Sequence, residues 1–244
     1  MKTLADLATA LLEAHDGGPL VGPVAEELVP ADLDVVYAVQ NEIISQIGAV
    51  GGWKVAAGLG HPPLCSPIPA KRFFGSGDRI DAEHHRIFLA EIEVAVRLGA
   101  DLPAGATIDD VEAAIASIHP AIELVGNPFV DRAATPRNLQ LADLQSNGAV
   151  VVGNEVDRGI TAALDTLAVV LELDGKAVHS VEKGASWTDT LTAIAWLATH
   201  AHQRGLPLRA GQVIITGARA LLKLDGATDV AGILGDHGRV DCRL

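Results

Sequence analysis

Leu89-Ala90-Glu91-Ile92-Glu93-Val94-Ala95-Val96 is the stretch on which the reading of this chain turns. As a strand it places Phe88, Ala90, Ile92, Val94, Val96 and Leu98 on one unbroken apolar face. Leu89, Glu91, Glu93, Ala95 and Arg97 fall on the other, because side chains alternate with period two. Two carboxylates then stand with Cα atoms roughly 7 Å apart on a strand apolar enough to be largely buried. Like charges that close repel and raise one another's pKa unless something positive lies between them. A divalent cation meets that need. The plainer alternative is a strand whose second face is solvated.

A third carboxylate has a similar setting. Thr107 is placed to cap a short helix with Val111, Ala114, Ile115 and Ile118 on one face, ended by Pro120. The following run, Ala121-Ile122-Glu123-Leu124-Val125-Gly126, reads as a strand with Glu123 as its one charge. Three isolated acids in two apolar strands suit a hard cation such as Mg²⁺ or Mn²⁺, which takes oxygen ligands and keeps waters that a substrate can displace.

Composition bounds the rest. The 244 residues are 49% hydrophobic and carry a formal charge of -13, enough apolar residue for a substantial core and the wrong sign for nucleic acid or an anionic membrane. An aromatic content of 3% offers no stacking platform for bases. The start, Met1-Lys2-Thr3, leads into an amphipathic helix and not a signal peptide, and no apolar run approaches about 20 residues. Cys65 and Cys242 lack metal spacing and read as reduced thiols, so the expected location is cytoplasmic.

Two helices open the chain. Leu4, Leu7, Leu11 and Leu12 mark the first, with Thr3 and Asp6 as its capping pair; Leu33 to Ile47 mark the second, which stops at Gly48. From Gly52 the pattern turns to strands at 53–57, 86–98, 121–125, 149–152, 167–173 and 212–216, with Asp174-Gly175 as a hairpin signal. One late helix runs from Thr188 or Asp189 to about Gln203, and the tail returns to short strands. Strands with peripheral helices, not alternating βαβ units, predict an α+β fold with a curved or rolled sheet. The expected division is an N-terminal helical layer, 1–50, on a catalytic unit, 51–244, that together form one structural unit.

Several blocks now stand in order: Gly52-Trp53-Lys54-Val55, Glu91-x-Glu93 with Asp101-Leu102-Pro103, Pro120 to Val125, Ala142-Asp143 with Ser146, Gly148 and Gly153, Ala195 to Ala198, and Gly211 to Gly217. In that order and spacing the chain resembles the fumarylacetoacetate hydrolase superfamily, within it the 2-keto-4-pentenoate hydratase and 4-oxalocrotonate decarboxylase branch. The resemblance implies a mixed β-roll with peripheral helices, a Mg²⁺ or Mn²⁺ ion, a 2-oxo acid or dienol substrate, a role in aromatic catabolism, and a homo-oligomer that associates with a related pathway enzyme. Residue by residue, it implies Glu91, Glu93 and Glu123 as metal ligands, Lys54 as the active-site lysine and Ser146 at the substrate. Thr216 and Gly217 match the loop near the substrate carboxylate.

That chemistry agrees with the residue types. A 2-oxo acid can chelate one cation through its carboxylate and keto oxygens, and proton transfer at the neighbouring carbon then needs an acid–base group. Lys54, among apolar residues near a cation, is expected to have a lowered pKa; its plainer role is a salt bridge to one of the glutamates. The pattern departs from the hydratases twice: Arg72-Phe73-Phe74 stands ahead of Gly77-Asp78 where many relatives carry an acid, and Leu144 where they carry asparagine. Enolisation or decarboxylation is therefore expected more readily than hydration, unless Asp78 or Asp143 substitutes. An acylpyruvase-type C–C hydrolase is the second reading, although no N-terminal His-acid pair stands out. An inactive structural partner is the third. His61, His84, His85 and His119 read as loop or element-end residues, His200 and His202 as partly protonated complements to a helix C-terminus, and Trp187 and Trp196 as core or interface. Gly58-Leu59-Gly60 is too short for a nucleotide loop, and Ser66 and Ser186 lack a nucleophile elbow.

Overall fold

The computed structural model describes residues 1, 3–58, 62–181 and 183–244; the readings of Leu59, Gly60 and His61 fall outside them. In chain order the elements are α1 (Leu4–His15), α2 (Leu33–Ile47), β1 (Val50–Val55), β2 (Cys65–Pro69), β3 (Phe73–Gly75), β4 (Ile87–Leu98), α3 (Ile108–Ala114), β5 (Ile115–Gly126), α4 (Arg137–Ala142) and β6 (Asn147–Val152). Then follow β7 (Val169–Leu173), β8 (Lys176–Val181), α5 (Trp187–Gln203), β9 (Val213–Ile215), β10 (Ala220–Lys223), β11 (Asp229–Leu234) and β12 (Gly238–Arg243).

The helix ends follow from sequence. Thr3 accepts from the Asp6 amide while the Asp6 carboxylate accepts from the Thr3 amide, and the same reciprocal box opens α3 at Thr107 and α5 at Ser186. Helix α2 is capped by Asp32 and stops at Gly48, whose φ of 101° suits a residue without Cβ. Leu7 and Leu11 of α1 and Val36, Val39 and Ile43 of α2 are all buried, in one cluster with the strands.

The larger sheet has the order β2-β1-β9-β4-β5-β6-β3, with β10 also paired to β4; the β1–β9 and β3–β6 pairs are parallel, the others antiparallel. The smaller sheet runs β12-β11-β7-β8, with the expected Asp174-Gly175 turn joining β7 to β8. The fold is thus α+β with a curled mixed sheet. Curling needs close backbone approach: a Cβ on Gly51 would lie 2.6 Å from the Ala70 Cα, and one on Gly52 2.0 Å from the Val213 oxygen.

The two faces of the large sheet have different fates. Ile92, Val94, Val96, Ile122 and Leu124 join the main core with the helices and the smaller sheet. The smaller sheet comes close enough that a Cβ on Gly232 would meet Ile92. Ala95, Ala121, Val150, Val213, Ile215 and Ile68 form a separate cluster inside the roll, with Phe73 and Val152 against it.

One boundary needs correction. The helix expected to run to Pro120 stops at Ala114, and Ile115, Ile118 and Pro120 itself lie in β5. Proline is tolerated there because its carbonyl accepts from the Gly153 amide, just past the end of β6. Its missing amide strands no carbonyl on that side, because the Gly153 carbonyl accepts from His119 Nδ1 instead. His119 is consequently a mid-strand residue and not an element end.

Candidate metal centre and active site

Strand register brings the acids together. Glu91 lies directly opposite Glu123 across the β4–β5 pair, and Glu93 follows two residues on along the same face. One carboxylate oxygen from each falls within 4.8 Å of the others. Glu93 and Glu123 are buried to 1% and 0% exposure. Lys54 reaches in from β1, with Nζ 2.7 and 2.6 Å from the two Glu123 oxygens. The Asn147 amide donates to Glu123 at 2.9 Å and the Gly217 N–H to Glu93 at 2.7 Å.

Three carboxylates against one ammonium leave an excess of buried negative charge. Burial, then the Glu123 charge, pushes Glu91 up to about 7, against the pull of Lys54. Burial, Glu123 and Glu91 hold Glu93 well above the carboxylate range. Lys54 corrects an expectation: burial pulls its pKa down, but Glu123, Glu91 and Glu93 pull harder, and it stands above the ordinary lysine value. The salt bridge read as its plainer role is present. The donor set, all carboxylate oxygen and short of positive charge, fits a hard divalent ion.

The remaining predicted residues divide. Ser146 is buried, and its Oγ accepts from Arg132 at 2.9 Å. It sits in a turn where Leu144, Gln145 and Ser146 all have positive φ, 47°, 52° and 62°. Left-handed backbone costs about 1–2 kcal/mol per residue, so neighbours must hold it. The holders are the Asp143 carbonyl on the Ser146 amide, the Arg72 guanidinium on the Asn147 carbonyl, and Asn147 on Glu123. Thr216 is buried with its hydroxyl donating to the Val94 carbonyl at 2.8 Å, which makes it a brace for the loop, while Gly217 borders the acids. Beside this loop a cleft of ≈ 260 Å³ is lined by Ala57, Gly184, Ala185, Thr216 and Gly217.

Sequence reasoning missed several groups. His15, at the end of α1, bonds through Nε2 to both Asp143 oxygens at 2.9 and 3.1 Å, a buried pair 128 residues apart. Its Nδ1 packs beside Gly126. Arg72, in the place noted for an acid in relatives, is buried, its charge facing Asp143, Asp16 and Glu123. Arg219 faces Glu93 and bonds the carbonyls of Leu164 and Ala185. The 72–74 departure flagged one of these positions, Arg72; nothing local flagged His15 or Arg219. Leu144 is fully buried, and Asn147, three residues later, brings an amide to Glu123 instead. Asp78 is exposed and accepts from the Gly75 amide.

The other single residues are structural. Trp187 donates to Glu112, and His84 and His85 lie in the turn before β4. His200 stacks on Trp196 at 4.7 Å, and burial, then Arg204, lowers its pKa to about 4, so it is neutral rather than partly protonated. Burial pushes Cys65 up to about 11 and Cys242 to about 12, thiols and not thiolates.

The chain is similar in sequence and in shape to known proteins. The chain is 29% identical over 228 residues to the TodF product hydratase of Pseudomonas putida F1, covering 86% of this chain and 83% of that one. It is 28% identical over 231 residues to a 2-keto-4-pentenoate hydratase of Burkholderia vietnamiensis G4, covering 89% and 87%. The solved 4-oxalocrotonate decarboxylase of Pseudomonas putida G7, complexed with magnesium and adipate, superposes with a TM-score of 0.83 at 23% identity, over 98% of this chain and 96% of that one. The sequence pattern of the fumarylacetoacetate (FAA) hydrolase C-terminal family matches residues 47–242, and the chain belongs to that family.

Proposed function

We propose that the protein is a divalent-metal-dependent lyase acting on a 2-oxo acid or its dienol, with Glu91, Glu93 and Glu123 holding Mg²⁺ or Mn²⁺. The observation that carries this is the meeting of three carboxylate oxygens within 4.8 Å beside a lysine. Relatives named as hydratases and a neighbour solved with magnesium support it. The bound ion supplies Lewis acidity toward the carboxylate and keto oxygens of the substrate. Lys54, its side chain 15% exposed, is the proton-bearing group next to the ligands and moves the proton at the substrate carbon. Ser146, held by Arg132, is a hydrogen-bond partner for substrate, and the Gly217 loop borders its carboxylate end.

Hydration requires a further acid to handle water. Asp143 is committed to His15 and Asp78 to a turn, so enolisation or decarboxylation is favoured over hydration. The His15–Asp143 pair does not favour the acylpyruvase alternative, because His15 is 2% exposed, its Nε2 is held by Asp143 and its Nδ1 lies beside Gly126. The organisation into a helical layer, 1–50, and a catalytic unit, 51–244, belongs to this reading, with α1 contributing His15 to the site's support. So do a cytoplasmic setting in aromatic catabolism, a homo-oligomer, and association of that oligomer with a related pathway enzyme, with Val130 and Leu221 as exposed apolar residues for such contacts.

Deuterium exchange at C3 of 2-oxopentanoate, followed by NMR with and without Mg²⁺, isolates the shared step. Metal-dependent exchange that disappears in Lys54→Met is the expected result. Exchange undiminished in that variant removes the lysine from the mechanism. No exchange by the metal-loaded protein across several 2-oxo acids favours a non-enzymatic role, and strong turnover of 2-hydroxypenta-2,4-dienoate puts hydration first.

A further inference from the structure

The roll carries a second cavity, which opens in a mouth by Arg97. Glu93, Ala95 and Arg97 succeed one another on one face of β4, so the Arg97 Cα lies roughly 13 Å from that of Glu93 along the strand. Between them lies the dry layer of Ile68, Ala95, Ala121, Val150, Val213 and Ile215. Beyond the layer is a cavity of ≈ 360 Å³, walled by Phe73, Phe74, Val152 and Val213, with Arg97 in its lining.

The polar groups at this mouth are arranged around Arg97. Ser117 lies directly opposite it across the β4–β5 pair, and His119 opposite Ala95. The pairing is bulged between Arg97 and Leu98, an irregularity that re-aims side chains. His119 Nδ1 lies 2.9 Å from the Gly153 carbonyl, which only accepts, so Nδ1 carries the proton. Nε2, 2.8 Å from Ser117 Oγ, then accepts from the hydroxyl. This gives Arg97 a polar floor without a negative charge. The guanidinium donates to the Gly211 carbonyl at 3.2 Å, and among the described residues no carboxylate forms an ion pair with it. In a chain of net charge -13, a cation at an apolar cavity with no acid to neutralise it calls for an anion.

We propose that this mouth binds a small organic carboxylate with an apolar, ring-sized body. Its carboxylate takes the planar fork of Arg97, and its body packs between Phe73, Phe74, Val152 and Val213. The site is separate from the carboxylate cluster, shares no residue with it, and does not depend on the metal reading.

Benzoate is the probe, titrated into the full chain by calorimetry and by saturation-transfer NMR, with Mg²⁺ and oxalate present so that the other site is occupied. Saturable binding is expected, weakened roughly tenfold or more in Arg97→Met, the size of a lost charge-assisted hydrogen bond. Val152→Phe, which keeps the charge but narrows the cavity, is expected to weaken it as well, and neutral benzyl alcohol to bind wild type and Arg97→Met alike. Far-UV circular dichroism reports whether each variant folds; if Arg97→Met does not, Val152→Phe decides. Benzoate affinity unchanged in the folded variants overturns the proposal. So does loss of binding when oxalate is added, which assigns the benzoate to the metal mouth. Absence of saturable binding to wild type, including through a second copy sealing the cavity, overturns it too.

Discussion

Two of the charged clusters among the described residues are built on opposite principles. Around Arg204, every guanidinium nitrogen has a partner: Nε and Nη2 meet Asn41 at 3.0 and 2.7 Å, Nη2 meets Gln40 at 3.1 Å, and Nη1 meets the Cys65 sulfur at 3.9 Å. The cation also lies 4.8 Å over the Tyr37 ring and 5.4 Å from that of Trp53. This cluster ties α2 to the end of α5 and asks for nothing more. In the glutamate cluster, three carboxylates share one ammonium, and two of the acids are pushed toward protonation. A satisfied charge is a fastener; an over-crowded one is a socket. Excess buried charge of one sign is relieved by protonation or by a ligand of the other sign.

The largest expected effect breaks the socket. Glu93→Gln removes the charge of one of three ligands and should weaken Mg²⁺ or Mn²⁺ binding by about 100-fold or more, since losing even an outer-shell partner costs about 10–100-fold. Calorimetry on chelated protein measures it, and equal binding by both proteins would sink the ligand assignment. Next comes the fastener. Arg204→Met should cost about 2–4 kcal/mol in urea unfolding while leaving Mn²⁺ affinity within about twofold, since it strips a nearly buried cation from its partners. A parallel loss of metal affinity would show that the two clusters are not separate in kind.

A third test turns on sign. Burial pushes Glu91 up to about 7 in the folded protein, against an ordinary 4.5. The folded state therefore binds more protons between these values, and metal-free stability should fall as pH rises through that window. Glu91→Gln should stabilise the metal-free protein at pH about 8 by roughly 1–3 kcal/mol and flatten the slope. With saturating Mg²⁺ the order should reverse. A metal-free variant less stable than wild type at that pH contradicts crowding. The smallest effect is at His200, whose folded pKa of about 4 lies below the ordinary 6.5. Here the unfolded state binds the extra proton, so its contribution is present above about 6.5 and lost as pH falls toward 4. Because the ring is only partly buried, His200→Gln should shift only the slope of melting temperature against pH in that window.

Much of this was legible in local pattern. The period-two alternation at 87–98 gave the strand and its acidic face, and Thr3-x-x-Asp6 and Gly48 bounded helices where the structure has them. Pro120 misled, because proline stops helices in general but is harmless in a strand where the facing carbonyl, here that of Gly153, finds another donor in His119, a meeting no local pattern shows. The raised pKa of Lys54 was also out of reach. Its sign depends on whether a metal or the bare carboxylates stand beside it, and the approach within 2.7 Å joins β1 to β5 across two intervening strands.

By itself the sequence determined which residues were apolar enough to be inside, where helices and strands would start, and that three acids were stranded among them, because periodicity and capping act within a few residues. Only the tertiary structure decided who meets whom. The curl of the sheet carries Lys54 to Glu123, and the docking of α1 delivers His15 to Asp143, 128 residues away. The β4–β5 register sets Arg97 against Ser117 at the far mouth. Such meetings are fixed by strand order, register and close packing, which are properties of the whole chain at once and of no local segment.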